Sequence, residues 1–599
     1  MCKKLLKSDY FTHTILIGLS FLIGIYVFKD FFGFSLWGDD WMLMFYTLEH
    51  KIAGVPMKIF FSEYGGQAIL MEIVRSLYGF DARYYFYVSY FLRFIAALSL
   101  YLLLFNLNKN KILAFLTSVL FLVSFAGIES TNWVHNSINY LALALTAFGF
   151  IFSFEHLKTK KLFSWKIVTA YTLFTIAFIL ATVRMHGLIF LYPLTELIFV
   201  VAKKSKTRYA IIRSVVLIGL FYILMKSGLF GNAGSETIGR FNNSFIYFIN
   251  QSNENLYKAL IFPFGSFFNS LFPLYVFEYV PFLNDLLFGL RFQLADVFVW
   301  FVPIFVIFFV TYIKIRRGLF LFVATLIFWL TFLFFVSKAF YLGLGLKGSE
   351  SLLGGMTFTM LIYLLIVVFL TLKNTIWANL FFLISWPFCF LIIPHALNTT
   401  HTTIESYSRY LTLPAGGSQL IITYGIYAFL NLLKHKFSRK IASSLAILLI
   451  LFIAFTNLKG ANYFFRMFNY RYSKHVEPTW ESLNKASSDI LYNGRIRVFV
   501  FNYDRLDAYQ TMIGFGGWYR YAFENNITDR QKLVVFLGVN EVDQIIQSFK
   551  DPRKGVENTW GVRIKDQLKL EDIYGFELKG DRVVRNDYFI REDLKKYAI

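Results

Sequence analysis

The sequence predicts a polytopic α-helical membrane protein of about thirteen transmembrane helices, followed by a small C-terminal α/β domain outside the membrane. Three observations predict it. The 599 residues are 57% hydrophobic and only 16% charged, whereas soluble domains run at about 45–50% apolar and about a quarter charged. Apolar runs long enough to cross about 30 Å of hydrocarbon recur along the first 458 residues. The basic residues between those runs alternate from one side to the other.

In chain order, the N-terminus MCKKLLKSDYFTHTILIGLSFLIGIYVF starts like a signal peptide. No small-residue cleavage site follows its apolar run, so it reads as an uncleaved first span at 14–33. Further spans are expected at 84–105, 112–128, 137–154, 167–183, 187–202, 210–226, 297–313, 319–336, 356–372, 376–394, 418–433 and 441–457. With the N-terminus inside, inside segments hold clusters such as Lys3, Lys4 and Lys7, or Lys158, Lys160, Lys161 and Lys166. Lys203, Lys204, Lys206, Arg208 and Arg213 form another, and Lys434, Lys436, Arg439 and Lys440 a fourth. The outer loops carry fewer cations per residue and most of the acids, which is the positive-inside pattern. The net charge of +22 therefore follows from topology, and no soluble segment shows the basic face that a nucleic acid would require.

Residues 1–458 then form a transmembrane domain and 459–599 an extracytoplasmic one. The outer loop 34–83 contains SEYGGQAILMEIVRSLYG, an amphipathic helix suited to the interface. The outer loop 227–296 contains LYKALIFPFGSFFNSLFPLYVFEYV, which Pro and Gly interrupt, so it is expected to be interfacial or re-entrant. In the tail, RIRVFVFN and KLVVFLG read as buried strands, IYGFELKGDRVVRND as a hairpin with a Gly-Asp turn, and WESLNKASSDIL as a helix. GFGGWYR lacks the third glycine of a dinucleotide loop, so no cofactor is assigned. Cys2 and Cys389 lie far apart and make no disulfide framework.

Charges beside apolar spans are costly and so informative, and four clusters fall on the outer side. LWGDDWMLMF places Asp39 and Asp40 between Trp37 and Trp41. Adjacent carboxylates repel, which can raise one of the two pKa values, and with positioning or partial burial one could serve as a base, although a polar cap on the first helix would look the same. GIESTNWVHN brings Glu129, Trp133 and His135 to the start of the fourth span, as substrate contacts or, through Ser130 or Thr131, as a helix cap. ATVRMHGLIFLYP sets Arg184 and His186 in a short outer turn, where a positive charge wants a lipid phosphate or a carboxylate such as Glu129. PHALNTTHTTIESYSRYLTLPAGG offers His395, His401, Glu405, Arg409 and Tyr410. Zinc wants tighter ligand geometry than these histidines promise, so phosphate contact is the expectation and no metal is assigned.

At these four places the sequence resembles the GT-C superfamily of membrane glycosyltransferases, which includes protein O-mannosyltransferases and lipid A aminoarabinose transferases. WGDDW is similar to the acidic pair after the family's first span, GIESTNWV to its acid-and-Trp stretch, TVRMHGLIFLYPL to its Lys-x-x-Gly-Leu segment and SRYLTLP to its Arg-Tyr segment. The second acid is Asp40, where several relatives carry Glu, and Arg184 stands where Lys is commoner. The resemblance covers roughly 10–460. It implies a polyprenyl-phosphate sugar donor and an inverting transfer on the outer face of the plasma (inner) membrane, to an acceptor hydroxyl on a lipid, glycan or protein. It leaves a divalent metal optional.

On that basis Asp39, with Asp40 second, is the expected base. Arg184 and Arg409, helped by His186 and His401, are expected to face the leaving phosphate. The acids and cations are expected to converge on one water-poor outer cavity. Two other functions fit a polytopic chain. A lipid-linked glycan flippase or transporter would show internal repeats and mid-membrane broken helices, and an O-antigen-ligase-like transferase would share the outer site without needing the Asp pair.

Overall fold

The computed structural model describes residues 9–36, 38, 40–44, 65–159, 161–181, 184–226, 266–267, 269–271, 375–397, 408–432, 436–468, 476–492, 494–503, 517–525, 527, 532–536, 542–557, 563–580 and 582–598. The expected spans at 297–313, 319–336 and 356–372 lie outside them, as does most of the loop 227–296.

The helices are α1 (Asp9–Phe28), α2 (Gly65–Tyr78), α3 (Ala82–Asn108), α4 (Lys111–Val123), α5 (Ile128–Asn132), α6 (Ile138–Leu157), α7 (Trp165–Leu180), α8 (Gly187–Val201), α9 (Thr207–Lys226), α10 (Thr375–Leu397), α11 (Thr412–Leu432) and α12 (Lys436–Phe468). The tail adds α13 (Val476–Ala486), β1 (Arg497–Tyr503), α14 (Gly517–Glu524), β2 (Leu533–Phe536), α15 (Asp543–Lys550), β3 (Val556–Glu557), β4 (Arg563–Ile564), β5 (Ile573–Lys579), β6 (Arg582–Arg585) and α16 (Asp587–Lys595). The expected spans that fall on described residues are helical over most of their length. Among the described residues, five helical stretches, Tyr10–Gly33, Ala82–Asn108, Val134–Leu157, Thr207–Lys226 and Lys440–Asn462, are long and apolar enough to cross a membrane. Shorter apolar helices accompany them at Lys111–Val123, Trp165–Leu180, Gly187–Val201 and Thr375–Leu391.

The chain divides into two compact units. The first comprises Met1–Lys29, Lys58–Leu70 and Phe86–Phe464. In it α6 packs along α7, α8 along α9 and α10, α10 along α11, and α1 and α11 along α4. Gly149 lets α6 and α7 approach closely, since a Cβ there would stand 2.3 Å from the Phe174 ring. Large apolar side chains remain on the outside of several helices: Leu22 on α1 is 61% exposed, Ile223 on α9 63% and Leu451 on α12 59%. Exposed apolar stripes of this kind mean a partner or a lipid surface, and together with the length of these helices they define a membrane-spanning helical body.

Two expectations are corrected in this unit. Arg213, counted above among inside-loop cations, stands on α9 and is buried, forking onto Glu196 of α8 at 2.7 and 2.6 Å. The pair satisfies a charge that hydrocarbon would otherwise penalise. The run 112–128 is not one helix. It ends at Val123, and the chain turns before α5.

The second unit comprises Asp30–Met57, Met71–Tyr85 and Phe465–Ile599. Its centre is a four-stranded sheet of order β2-β1-β5-β6, with β1 parallel to both neighbours and β6 antiparallel to β5. The expected hairpin is β5–β6, with Lys579 opposite Arg582. Alternation along β1 sends Val498 and Val500 to a core with Ile545, Ile590 and Leu594, and Phe499 and Phe501 to the other face, against Trp518 and Phe576. The expected tail helix begins earlier than its signal, at Val476, and stops at Ala486.

Candidate active site

The site grows from the break after α4. Gly127 takes φ +84°, a conformation L-residues avoid. A Cβ there would also stand 3.1 Å from Thr412 Oγ1 and 3.2 Å from the Tyr140 hydroxyl. This turn aims α5 so that its polar side chains point inward. Ser130 Oγ donates to Thr412 Oγ1 at 2.7 Å, and Thr412 Oγ1 donates to the Arg409 carbonyl at 2.9 Å. Thr131 meets the Tyr140 hydroxyl at 2.8 Å. Ser130 and Thr131 thus join α5 to α11 and α6 rather than capping a helix.

Beneath the turn lies Arg93, a residue outside the four charged outer clusters. It is fully buried in the middle of α3. Its guanidinium donates to the Phe121 carbonyl at 3.1 Å and the Ser124 carbonyl at 2.6 Å, and to Thr131 Oγ1 at 3.1 Å and the Tyr140 hydroxyl at 2.8 Å. A cation at a helix C-terminus satisfies the carbonyls that the broken helix leaves over. The Phe28, Phe121 and Tyr140 rings surround it at 4.8–5.6 Å. Its signal was present in the sequence, as a lone arginine inside the apolar run YFLRFIAAL.

Above the turn the expected cations meet. The Arg409 backbone N–H donates to Glu129 Oε2 at 3.1 Å, and the Arg409 guanidinium stands 3.8 Å from the same oxygen. Arg409 lies over the Trp133 ring at 4.6 Å and the Tyr410 ring at 5.1 Å. Arg184 lies over Tyr410 at 5.1 Å as well, and donates to the Arg409 carbonyl at 3.1 Å and to Asn136 Oδ1 at 2.9 Å. Glu129 thus pairs with Arg409, not with the Arg184 considered from sequence. His135 packs edge-on to Trp133 at 5.3 Å and meets Asn136 Nδ2 at 2.9 Å. His186 is buried just before α8, edge-on to Phe178 at 5.8 Å. Gln67 of α2 reaches the same Asn136 oxygen at 3.4 Å. The structure therefore brings together Glu129, Trp133, His135, Arg184, Arg409 and Tyr410, and adds Asn136 and Gln67, which nothing in the sequence singled out.

Asp39, His401 and Glu405 lie outside the described residues, and His395 stands near the end of α10. Asp40 belongs to the second unit, where it is fully buried. Gly38 takes φ +58° and its carbonyl accepts the Trp41 N–H at 3.1 Å, so Asp40 opens a helical turn. A carboxylate is favoured at that end of a helix. Trp41 donates its Nε1–H to the Leu36 carbonyl at 2.9 Å and lies 5.3 Å from the Arg520 guanidinium. Arg520 comes from GFGGWYR and forks onto Glu477 at 2.8 and 2.7 Å. The glycine-rich stretch that failed as a nucleotide loop therefore places an arginine against the acidic segment. Among the described residues, no three His, Cys, Asp or Glu side chains gather as metal ligands.

No protein-family model matches the chain, and no curated protein matches it. Among solved structures it is similar to the archaeal oligosaccharyltransferase AglB from Archaeoglobus fulgidus, determined in complex with an inhibitory peptide and a dolichol-phosphate, at 13% identity and a TM-score of 0.42. The match covers 85% of this chain and 64% of that one, so the chain spans just under two thirds of the structure it matches.

Proposed function

We propose that this chain is a membrane glycosyltransferase that moves a sugar from a polyprenyl-phosphate donor to an acceptor hydroxyl on the extracytoplasmic face, with inversion. The N-terminus is then cytoplasmic, and the tail domain 459–599 lies outside. The observation that carries the reading is the pairing of Arg184 and Arg409 on one aromatic ring, Tyr410, beside Glu129 and Trp133. Two guanidinium groups held on aromatic faces suit a phosphate.

The acceptor hydroxyl gives its proton to a carboxylate, for which Asp39 is the first choice and Asp40 the second. Its oxygen forms a bond to the anomeric carbon from the side opposite the phosphate. The bond from that carbon to the phosphate oxygen breaks, and its electron pair leaves with the phosphate. Arg184 and Arg409 stabilise the charge that grows there, where water is scarce. His186 and His401 assist them, Tyr410, Trp133 and His135 line the sugar, and Glu129 holds Arg409.

The test uses the purified chain in liposomes with synthetic polyprenyl-phosphate sugars and envelope extract as the source of acceptor. Wild type releases polyprenyl phosphate, whereas Asp39→Asn inserts and binds donor yet releases none. Full transfer by Asp39→Asn removes that residue as the base. A wild-type protein that consumes no donor but carries a solute across the membrane is a transporter, and the enzyme reading fails.

A further inference from the structure

At the opposite end of α8 from His186, about 22 Å away by helix rise, the α6–α7 and α8–α9 connections border a cavity of about 200 Å³ that opens to the surface. Lys161, Lys203, Lys204 and Lys206 line it. Its floor is built from buried polar groups: Arg213, fixed by its fork onto Glu196, donates to Ser205 Oγ at 2.6 Å and to the Lys161 carbonyl at 3.4 Å. That one side chain therefore ties both connections together and holds their lysines around a common space. Lys203 follows α8 with φ +57°, at the position where a helix end prefers glycine. The Lys204 N–H closes back on the Phe199 carbonyl at 2.8 Å.

The neighbouring cations behave differently. Lys158 and Lys166 both pair with Glu155. Among the described residues no carboxylate pairs with Lys161, Lys203, Lys204 or Lys206, and the cavity lining contains no acid. Four exposed lysines thus line one small space, and an anion among them offsets the repulsion of their like charges. The positive-inside rule accounts for cations on this face, but not for their convergence on a cavity with a built floor.

We infer that this cavity is a binding site for a phosphate-bearing group, separate from the outer arginine cluster and independent of the proposed transfer. Basic pockets between transmembrane helices on the cytoplasmic side take anionic lipid headgroups, and a soluble polyphosphate offers the same chemistry.

The full chain is placed in nanodiscs of phosphatidylcholine containing a minor share of phosphatidylglycerol, and the phosphatidylglycerol retained after detergent exchange is counted by native mass spectrometry. In parallel, pyrophosphate is titrated calorimetrically into protein in phosphatidylcholine alone. The triple variant Lys203→Gln, Lys204→Gln, Lys206→Gln changes only surface side chains, and circular dichroism checks its fold. Its affinity for the occupant falls roughly a hundredfold, at about fivefold for each lysine near an anionic surface. The control Lys109→Gln, Lys111→Gln, on the same expected side, stays within about twofold, since neither residue lines the cavity. Loss of phosphatidylglycerol retention in the triple variant identifies a lipid headgroup. Loss of the pyrophosphate heat alone identifies a soluble phosphate. If the triple variant matches wild type in both measurements, or the control loses as much as the triple variant, the site does not exist.

Discussion

Arg409 and Glu129, 280 positions apart in sequence, are joined twice: the Arg409 N–H donates to Glu129 Oε2 at 3.1 Å and its guanidinium stands 3.8 Å from that oxygen. Glu129 therefore positions the arginine that the proposal sets against phosphate. Glu129→Gln keeps an acceptor for the N–H, while Glu129→Ala leaves that donor unsatisfied at a cost of about 1–3 kcal/mol. Donor affinity, measured with a fluorescent polyprenyl-phosphate sugar, is expected to stay within about threefold for the Gln variant and to fall about tenfold or more for Ala. Equal affinities in the two variants contradict this role.

Arg93 supports the same site from below. Arg93→Met leaves the Phe121 and Ser124 carbonyls and two hydroxyls without their cation. A loss of about 3 kcal/mol or more follows, read as a lowered melting temperature in detergent. Arg93→Lys recovers only part, because one ammonium cannot reproduce a planar fork with this geometry. An unchanged melting temperature in Arg93→Met removes the supporting role.

Gly127→Ala meets two obstacles at once. The backbone at φ +84° costs an L-residue about 1–2 kcal/mol, and the new methyl presses on Thr412 and Tyr140. Thermal unfolding detects the loss, and transfer activity falls more than stability because the turn aims Glu129. A variant as stable and active as wild type shows that the turn is not constrained.

The tail domain has a pH window with two edges. Burial works against the Glu477 charge, but the Arg520 fork outweighs it and holds the carboxyl below the usual glutamate range. The unfolded chain takes up that proton first, near pH 4.3 or so, so this contribution is present above about that pH and is lost as the pH falls further. At the other edge, burial pushes the Tyr521 hydroxyl up to about 12. That contribution is present below the ordinary tyrosine value of about 10 and is lost as the pH rises towards 12. Hydrogen exchange of tail peptides in the full chain should show protection falling at both edges. Glu477→Gln flattens the acidic edge alone, and an unchanged acidic edge in that variant refutes the assignment.

The helical body was legible because apolar length and loop charge report directly on it, and α1, α3, α6, α9 and α12 stand where those signals placed them. The strands of the tail were legible through alternation, as in Arg497–Tyr503. Arg184, Glu129 and Arg409 were legible because a charge at the end of an apolar run must have a reason to be there. Asn136 and Gln67 were not, since a neutral amide at a helix start looks the same whether it meets water or a guanidinium. Arg93 and the Glu196–Arg213 pair lay in plain view, but the side on which a cation falls says nothing of its partner, and only the fold reveals which carbonyl or carboxylate it satisfies. The turn at Gly127 was hidden because hydropathy runs through it unbroken.

Whether the Arg184–Arg409 cluster holds the donor phosphate is decided by equilibrium binding of a fluorescent polyprenyl-phosphate sugar to purified wild type, Arg184→Ala, Arg409→Ala and the double variant, each checked for insertion and melting temperature. Charged hydrogen bonds of about 1.5–3 kcal/mol predict a loss of about tenfold or more for each single variant and about a hundredfold or more for the double variant. Wild-type affinity in the double variant would contradict the account.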